Sequence, residues 1–316
     1  MGPQLVLTHG VGRGESSDML QIWTRALAEG ARKAGHGDLA ASLPDGRGVR
    51  TAVAYYTDLF ATKEAQGTAG LDLDPASAEI LGELLLEIAE SAADDGSDPA
   101  GQEALALARG QLAPVEGRQG PGDLARRLIN VATTLLDLPG VRSTGQWLIG
   151  KAMILDLAQV ARYLARGEPD AAGATLDQRV RARLRTHLEQ GPAVVIGHSL
   201  GSIVAWETLH ESAVDLPLFV TIGSPLGMRS AVLPRLRPQP LWTPEPVKRW
   251  LNFWDRDDIL TGRPLLEEEF GRNSGRVRPV SARVDSDGLW VHPATNYLSQ
   301  GDVAGPVAEA LASGPR

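Results

Sequence analysis

Apolar positions along the chain fall into two rhythms. Short runs rich in branched residues, Leu5-Val6-Leu7-Thr8, Ala193-Val194-Val195-Ile196 and Leu218-Phe219-Val220-Thr221-Ile222, read as buried strands. Val49 to Tyr55 alternates, and Arg249 to Trp254 and Val277 to Val284 complete the set of predicted strands. Between them lie stripes at helical spacing. Leu20, Trp23, Leu27 and Ala31 form one, in a helix that Ser17 is expected to cap and that runs to about Ala34; Asp177–Gln190, Ile203–His210 and Val303–Ala312 form others. Strands alternating with helices predict an α/β fold, a mostly parallel sheet flanked by helices on both faces. One stretch breaks the alternation. From Phe60 to Asp170 only helical patterns occur, at Ser77–Ala92, Gly101–Arg109, Asp123–Leu138 and Thr144–Ala165. Breaks rich in Gly, Pro and Asp punctuate them at Asp94–Gly101, Pro114–Gly122 and Pro139-Gly140. The expected organisation is a core made of residues 1–59 and 171–316 with a large helical insertion over 60–170.

Composition narrows the classes. With 316 residues, 43% hydrophobic and 22% charged, the chain can bury one sizeable core or a core plus a subdomain. A net charge of −8, with no Lys/Arg stripe interleaved with aromatics, argues against a nucleic-acid partner. The lack of cysteine excludes disulfides, thiolate chemistry and Cys-ligated metals. The start, Met1-Gly2-Pro3-Gln4, has no basic leader, and Val6 stands where a myristoylation motif requires Ser or Thr. No apolar run reaches the ~18 residues of a spanning helix. These features predict a soluble, cytoplasmic protein; they leave the oligomeric state open.

Three local motifs carry chemistry. Gly197-His198-Ser199-Leu200-Gly201 joins a predicted strand to a predicted helix and reads as a nucleophile elbow, a tight turn that presents a serine and needs small neighbours, here Gly197 and Gly201. The first strand ends in His9-Gly10-Val11-Gly12-Arg13-Gly14, a loop too glycine-rich to continue a strand or a helix. It lacks both the spacing of a dinucleotide-binding loop and the Lys-Ser/Thr of a P-loop. The strand over Arg249–Trp254 runs into Asp255, Asp257 and Asp258. Such a cluster could be a solvated turn or a weak cation site, but it lacks EF-hand spacing, and no metal or other cofactor is expected. Ser224, in Gly223-Ser224-Pro225, rivals Ser199 by residue type only, since no glycine two residues later opens an elbow.

The order of elements, the His9-Gly10 loop, the Ser199 elbow, the strand end at Gly223-Ser224-Pro225, the acidic cluster and a single late histidine resemble the α/β-hydrolase superfamily, particularly its esterase and lipase branch. The resemblance implies a serine hydrolase that cleaves an ester, lipid or thioester through an acyl-enzyme, with a catalytic triad of Ser199, Asp258 and His292. His292 comes after the candidate acids as the family order Ser, Asp, His requires; His36, His187 and His210 are read as bland. Asp258 is favoured over Asp255 because Asp258-Ile259-Leu260 is similar to the stretch at this stage in lipase-like relatives, and Asp285 and Asp287 are outside candidates. The oxyanion hole is expected from the backbone N–H groups of Leu200 and Val11, with His9, Gly10, Gly197 and Gly201 shaping the supporting loops. The helical insertion either caps the serine or forms an interaction surface. Leu84, Leu85, Leu86 and Ile88, with Leu124, Leu128, Ile129, Leu135 and Leu136, suggest an apolar acyl portion in the substrate. The same triad would also serve a peptide or amide hydrolase, an acyl transferase or a cyclase. A catalytically silent interaction module on this fold is the alternative from another class.

Overall fold

The computed structural model describes residues 3–10, 16–44, 46, 48–61, 73–94, 99–112, 130–131, 146–286 and 291–313. The chain divides into two compact units. Met1–Leu59, Gln178–Gly227 and Leu236–Arg316 form a sheet unit, and Phe60–Asp177 with Met228–Arg235 form a helical unit.

The sheet unit is built on six strands, β1 (Gln4–Thr8), β2 (Thr51–Ala54), β3 (Ala193–His198), β4 (Leu218–Ile222), β5 (Trp250–Asp255) and β6 (Pro279–Val284). They lie in the order β2-β1-β3-β4-β5-β6, and every pairing is parallel. Registers run straight across the sheet: Val53, Leu7, Ile196, Val220 and Leu251 form one row, and Thr8, Gly197, Thr221 and Asn252 the next. β1, β3 and β4 are buried at every position, which is why they read as continuous apolar runs rather than alternations. β6 closes one edge and is buried only at its two ends, with Val280 56% exposed. Because all strands point the same way, the turns after β1, β3, β4 and β5 leave the sheet at one edge. Chain order reverses at β1, which has β2 on one side and β3 on the other, and such a switch point opens a crevice where ligands bind.

Helices α1 (Ser16–Lys33) and α2 (Gly37–Ser42) pack on one face. There Trp23, Leu27, Ala31 and Ala40 join Leu5, Leu7, Ile196, Val220 and Phe253 in one core. Ser17, expected to cap α1, lies inside its first turn, because the helix already includes Ser16. On the opposite face Phe219 and Trp250 (ring centroids 5.2 Å apart) continue through Phe270 to Trp206, at 5.1 and 5.5 Å.

The helical unit contains α3 (Pro75–Asp94), α4 (Pro99–Leu112) and α5 (Gln146–Leu164), and no strand among its described residues. Asp74 caps α3, accepting from the Ala76 and Ser77 N–H groups at 3.0 and 3.1 Å, with Pro75 at the first helical position, where a missing N–H costs nothing. Of the helix expected over 123–138, only Asn130 and Val131 are described, and both are helical. Leu124, Leu128, Ile129, Leu135 and Leu136 lie outside the described residues. Leu84, Leu85 and Ile88 are buried and Leu86 is half-buried. Met228–Arg235 joins this unit through two α3 carboxylates. Glu87 accepts the N–H groups of Arg229, Ser230 and Ala231 together with the Ser230 hydroxyl, and Glu83 pairs with Arg235 at 2.6 and 3.0 Å. The sheet unit is completed by α6 (Leu176–Leu188, which starts at the unit boundary), α7 (Leu200–His210), α8 (Ala294–Leu298) and α9 (Gly301–Ala312). No helix among the described residues is long and apolar enough to cross a membrane.

Candidate active site

β3 passes into α7 through a single residue, Ser199, whose φ of 51° and ψ of −126° belong to neither element. A non-glycine residue held there stores on the order of 1–3 kcal/mol, so its surroundings must over-determine it. They do so through the backbone. The Ser199 N–H donates to the Ile222 carbonyl at 3.2 Å, while the Ser199 carbonyl accepts the Ser202 N–H at 2.9 Å and the Ser202 hydroxyl at 2.6 Å. Ser202 Oγ also lies 2.6 Å from Ser224 Oγ. Since the Ser202 proton goes to the Ser199 carbonyl, Ser224 donates to Ser202, and it accepts the Leu226 N–H at 3.2 Å. Ser224 is thus a turn hydroxyl whose proton is committed. Gly201 is required by close approach: a Cβ there would press on the Thr8 carbonyl and stand 2.6 Å from that of His9. At Gly197 it would stand 2.7 Å from the Ser202 Cα.

The loop after β1 reaches the serine at Gly10, where a Cβ would lie 2.6 Å from Ser199 Cβ and 3.1 Å from its Oγ. His9 sets this loop. The Tyr56 N–H donates to His9 Nε2 at 3.3 Å, so the ring proton sits on Nδ1 and is donated to the Gly10 carbonyl at 3.0 Å. The Tyr56 hydroxyl donates to the His9 carbonyl, and the two rings stack at 4.2 Å. Burial pushes the His9 pKa down to about 4, which keeps it neutral. Val11 lies outside the described residues. Leu200 is buried and opens α7, so its N–H is among those of a first turn that have no acceptor within the helix.

The turn after β5 and the stretch before α8 bring Asp258 and His292 together. His292 Nδ1 lies 2.8 Å from Asp258 Oδ2 and 3.0 Å from Oδ1, both residues being buried. Asp258 also accepts the Leu260 N–H at 3.1 Å and the Tyr297 hydroxyl at 2.7 Å. Burial works to raise the Asp258 pKa, but the His292 charge and these hydrogen bonds outweigh it and hold the carboxyl below the ordinary range. Asp255 does different work. It accepts the Asp257 N–H at 3.0 Å and the Ser286 N–H at 2.6 Å, fastening the two turns to each other. Asp257 is exposed beside Arg256, Asp285 pairs with Arg283 at the surface, and Asp287 lies outside the described residues. Among the described residues no group of three or more His, Asp or Glu could hold a metal ion.

Two contacts join the serine to this pair. Gly223, next to the Ile222 that accepts the Ser199 N–H, has φ +52°, and a Cβ there would lie 3.0 Å from Asp258 Oδ2 and 3.3 Å from His292 Nδ1. His198, the residue before the serine, donates from Nε2 to the His292 carbonyl at 2.7 Å, with ring centroids 4.7 Å apart. Trp23 meets the His198 ring edge-on at 5.8 Å. Burial first, then the charge of His292, push the His198 pKa down to about 3, so it stays neutral and keeps its proton on Nε2. The remaining histidines sit elsewhere, His36 before α2, His187 in the last turn of α6 and His210 at the end of α7.

Sequence reasoning passed over Tyr297, Tyr56 and Ser202. Tyr297 comes five positions after His292, but no spacing rule ties a tyrosine there to a carboxylate 39 positions earlier. No curated protein and no solved structure matches the chain. The model of a family described as the alpha/beta hydrolase family matches residues 111–316, which include β3 to β6 and everything from Ser199 to His292. A match over more than half of the chain, on a six-stranded parallel sheet flanked by helices, means that this chain belongs to the alpha/beta hydrolase family.

Proposed function

We propose that the protein is a serine hydrolase that cleaves a carboxylic ester or thioester through an acyl-enzyme at Ser199. The observation that carries this reading is the buried hydrogen bond from His292 Nδ1 to Asp258, held beside a serine in the strained strand-to-helix turn. With its Nδ1 proton donated to the carboxylate, the imidazole presents Nε2 as a base. As Ser199 Oγ attacks the carbonyl carbon of the substrate, Nε2 takes the hydroxyl proton, and the carbonyl π electrons move to oxygen. The Leu200 N–H receives the resulting oxyanion, and the Val11 N–H is the proposed second donor. Collapse expels the alcohol or thiol, which leaves with the proton from Nε2. Water then repeats the sequence on the acyl-enzyme, releasing the acid and restoring Ser199.

The test uses a fluorophosphonate, which reports an activated serine without knowledge of the substrate. Intact mass and peptide mapping are expected to give one adduct, on Ser199, that is lost in His292→Ala. A folded protein that takes up no label would overturn the proposal in favour of a binding role.

A further inference from the structure

Besides the Leu260 N–H, the Asp258 carboxylate is engaged by one side chain that the acyl-transfer sequence does not use. Tyr297 is fully buried on α8, and its oxygen makes two hydrogen bonds of opposite sense. It donates to Asp258 Oδ2 at 2.7 Å and accepts the Asp255 N–H at 3.2 Å. The ring therefore spans both ends of the turn from Asp255 to Asp258, and its edge stands at Gly223, the point where any side chain would collide with the dyad.

We infer that Tyr297 is a positioning residue that sets the basicity of His292: its hydroxyl fixes the Asp258 carboxylate against Nδ1 and withdraws part of the carboxylate charge from the imidazole. The inference rests on Asp258 being the partner of His292. A carboxylate that already accepts a hydroxyl proton attracts an imidazolium less strongly than one that does not. Removing the hydroxyl leaves a more basic carboxylate, and the Asp258–His292 pair then takes up a proton at higher pH, whichever of the two holds it. Burial and the neighbouring Asp258 charge raise the Tyr297 pKa well above the ordinary tyrosine value, so the hydroxyl stays protonated and able to donate throughout.

The other groups facing the pair are Asp255 from the end of β5, and His198, backed by His9, from the elbow side. His198 and His9 are neutral in this pH range, and all three are retained in the Tyr297 variants.

The experiment is a pH titration of the His292 ring resonances in the intact protein, assigned by comparison with His292→Gln. It compares the wild type, Tyr297→Phe and Tyr297→3-fluorotyrosine, with fluorophosphonate labelling rates measured over the same range. Tyr297→Phe is expected to move the His292 midpoint up by about half to one pH unit and to carry the acid limb of the labelling profile with it. The fluorinated ring keeps both hydrogen bonds but donates more strongly, so it moves the midpoint down. A purely structural tyrosine gives no such opposition, and midpoints unchanged from wild type in both variants overturn the inference. Should Tyr297→Phe fail to fold, the sign of the fluorotyrosine shift decides alone. A wild type that takes no label while the midpoints still shift in opposite directions overturns the hydrolase reading and leaves the role of Tyr297 standing.

Discussion

Polar groups beneath the surface have one use in the helical unit and two in the sheet unit. In the helical unit, arginines and carboxylates close on one another and on backbone groups. Arg162 grips Glu168 with two nitrogens, each at 2.7 Å, and donates to the Phe60 carbonyl at 2.8 Å. Arg166 reaches Asp177 at 3.1 Å and the Arg235 carbonyl at 3.0 Å, and Glu87 collects the N–H groups of Arg229–Ala231. Each arrangement ties together segments distant in sequence. The sheet unit holds such a pair too, Arg181 with Glu207 at 3.1 Å, and adds the run Tyr297 to Asp258 to His292, in which a hydroxyl and a carboxylate back an imidazole. All six histidines of the chain belong to this unit. Arginine pairs can fix a shape at any pH the cell meets, whereas imidazole and carboxylate fix a shape and also hold a transferable proton.

The comparison breaks most sharply at the two aspartates. Asp258→Asn is expected to slow fluorophosphonate labelling by up to about 10⁴-fold by mis-setting the His292 tautomer, with a modest change in melting temperature. Asp255→Ala should show the reverse, costing about 1–3 kcal/mol of stability for the amides it strands and less than about tenfold in labelling. A larger labelling loss at Asp255 would transfer the role of acid to it. Acidification separates the units next. The folded pKa values of His9 and His198, about 4 and about 3, lie below the unfolded value of about 6.5. Their contribution to stability is therefore complete above pH 6.5 and is lost as pH falls, when the unfolded chain takes up protons that the fold refuses. Through these two rings, urea unfolding of the sheet unit should weaken by up to about 2.7 kcal/mol per pH unit between pH 6 and 4, with a further part from the less buried His210, whose pKa burial lowers to about 4. Asp258, its carboxyl held low, adds to the loss below about pH 4. A flat stability profile over that interval would mean that the two rings are protonated in place.

Smaller effects refine the contrast. Gly223→Ala should cost about 10²-fold in labelling, because its Cβ displaces the dyad and its φ of +52° strains any side chain. Gly110→Ala, in α4 with nothing within 4 Å, should stabilise the helical unit by about 0.5–1 kcal/mol and leave labelling unchanged. Arg235→Gln, which breaks a partly exposed pair with Glu83, should cost less than about 1 kcal/mol in urea unfolding.

Strands β1, β3 and β4 were legible because burial on both faces leaves an unbroken apolar run, and the turn at Ser199 because its requirements are local to five residues. The attachment of Met228–Arg235 was not legible. It depends on Glu83 and Glu87, roughly 140 positions earlier in the chain, whose spacing on α3 is that of any solvated acidic face. Helices α2 and α8 have six and five residues, too few for a stripe to repeat. In sequence, Asp255 and Asp258 are distinguished only by their immediate neighbours, Arg256-Asp257 after the first and Ile259-Leu260 after the second. Which of them meets His292 is decided by a turn in which the Asp258 N–H donates to the Asp255 carbonyl at 3.1 Å, turning the second carboxylate inward.

The backbone angle at Ser199 also bears on how this chain can be improved. Glycine occupies φ near +50° without steric penalty, so Ser199→Gly releases the stored strain and, after glycine's greater loss of entropy, should raise stability by about 1 kcal/mol. If Ser199 is the nucleophile as proposed, a laboratory selection that rewards heat resistance alone would enrich inert clones at this position, while one that also demands turnover would retain the serine and accept a lower melting point.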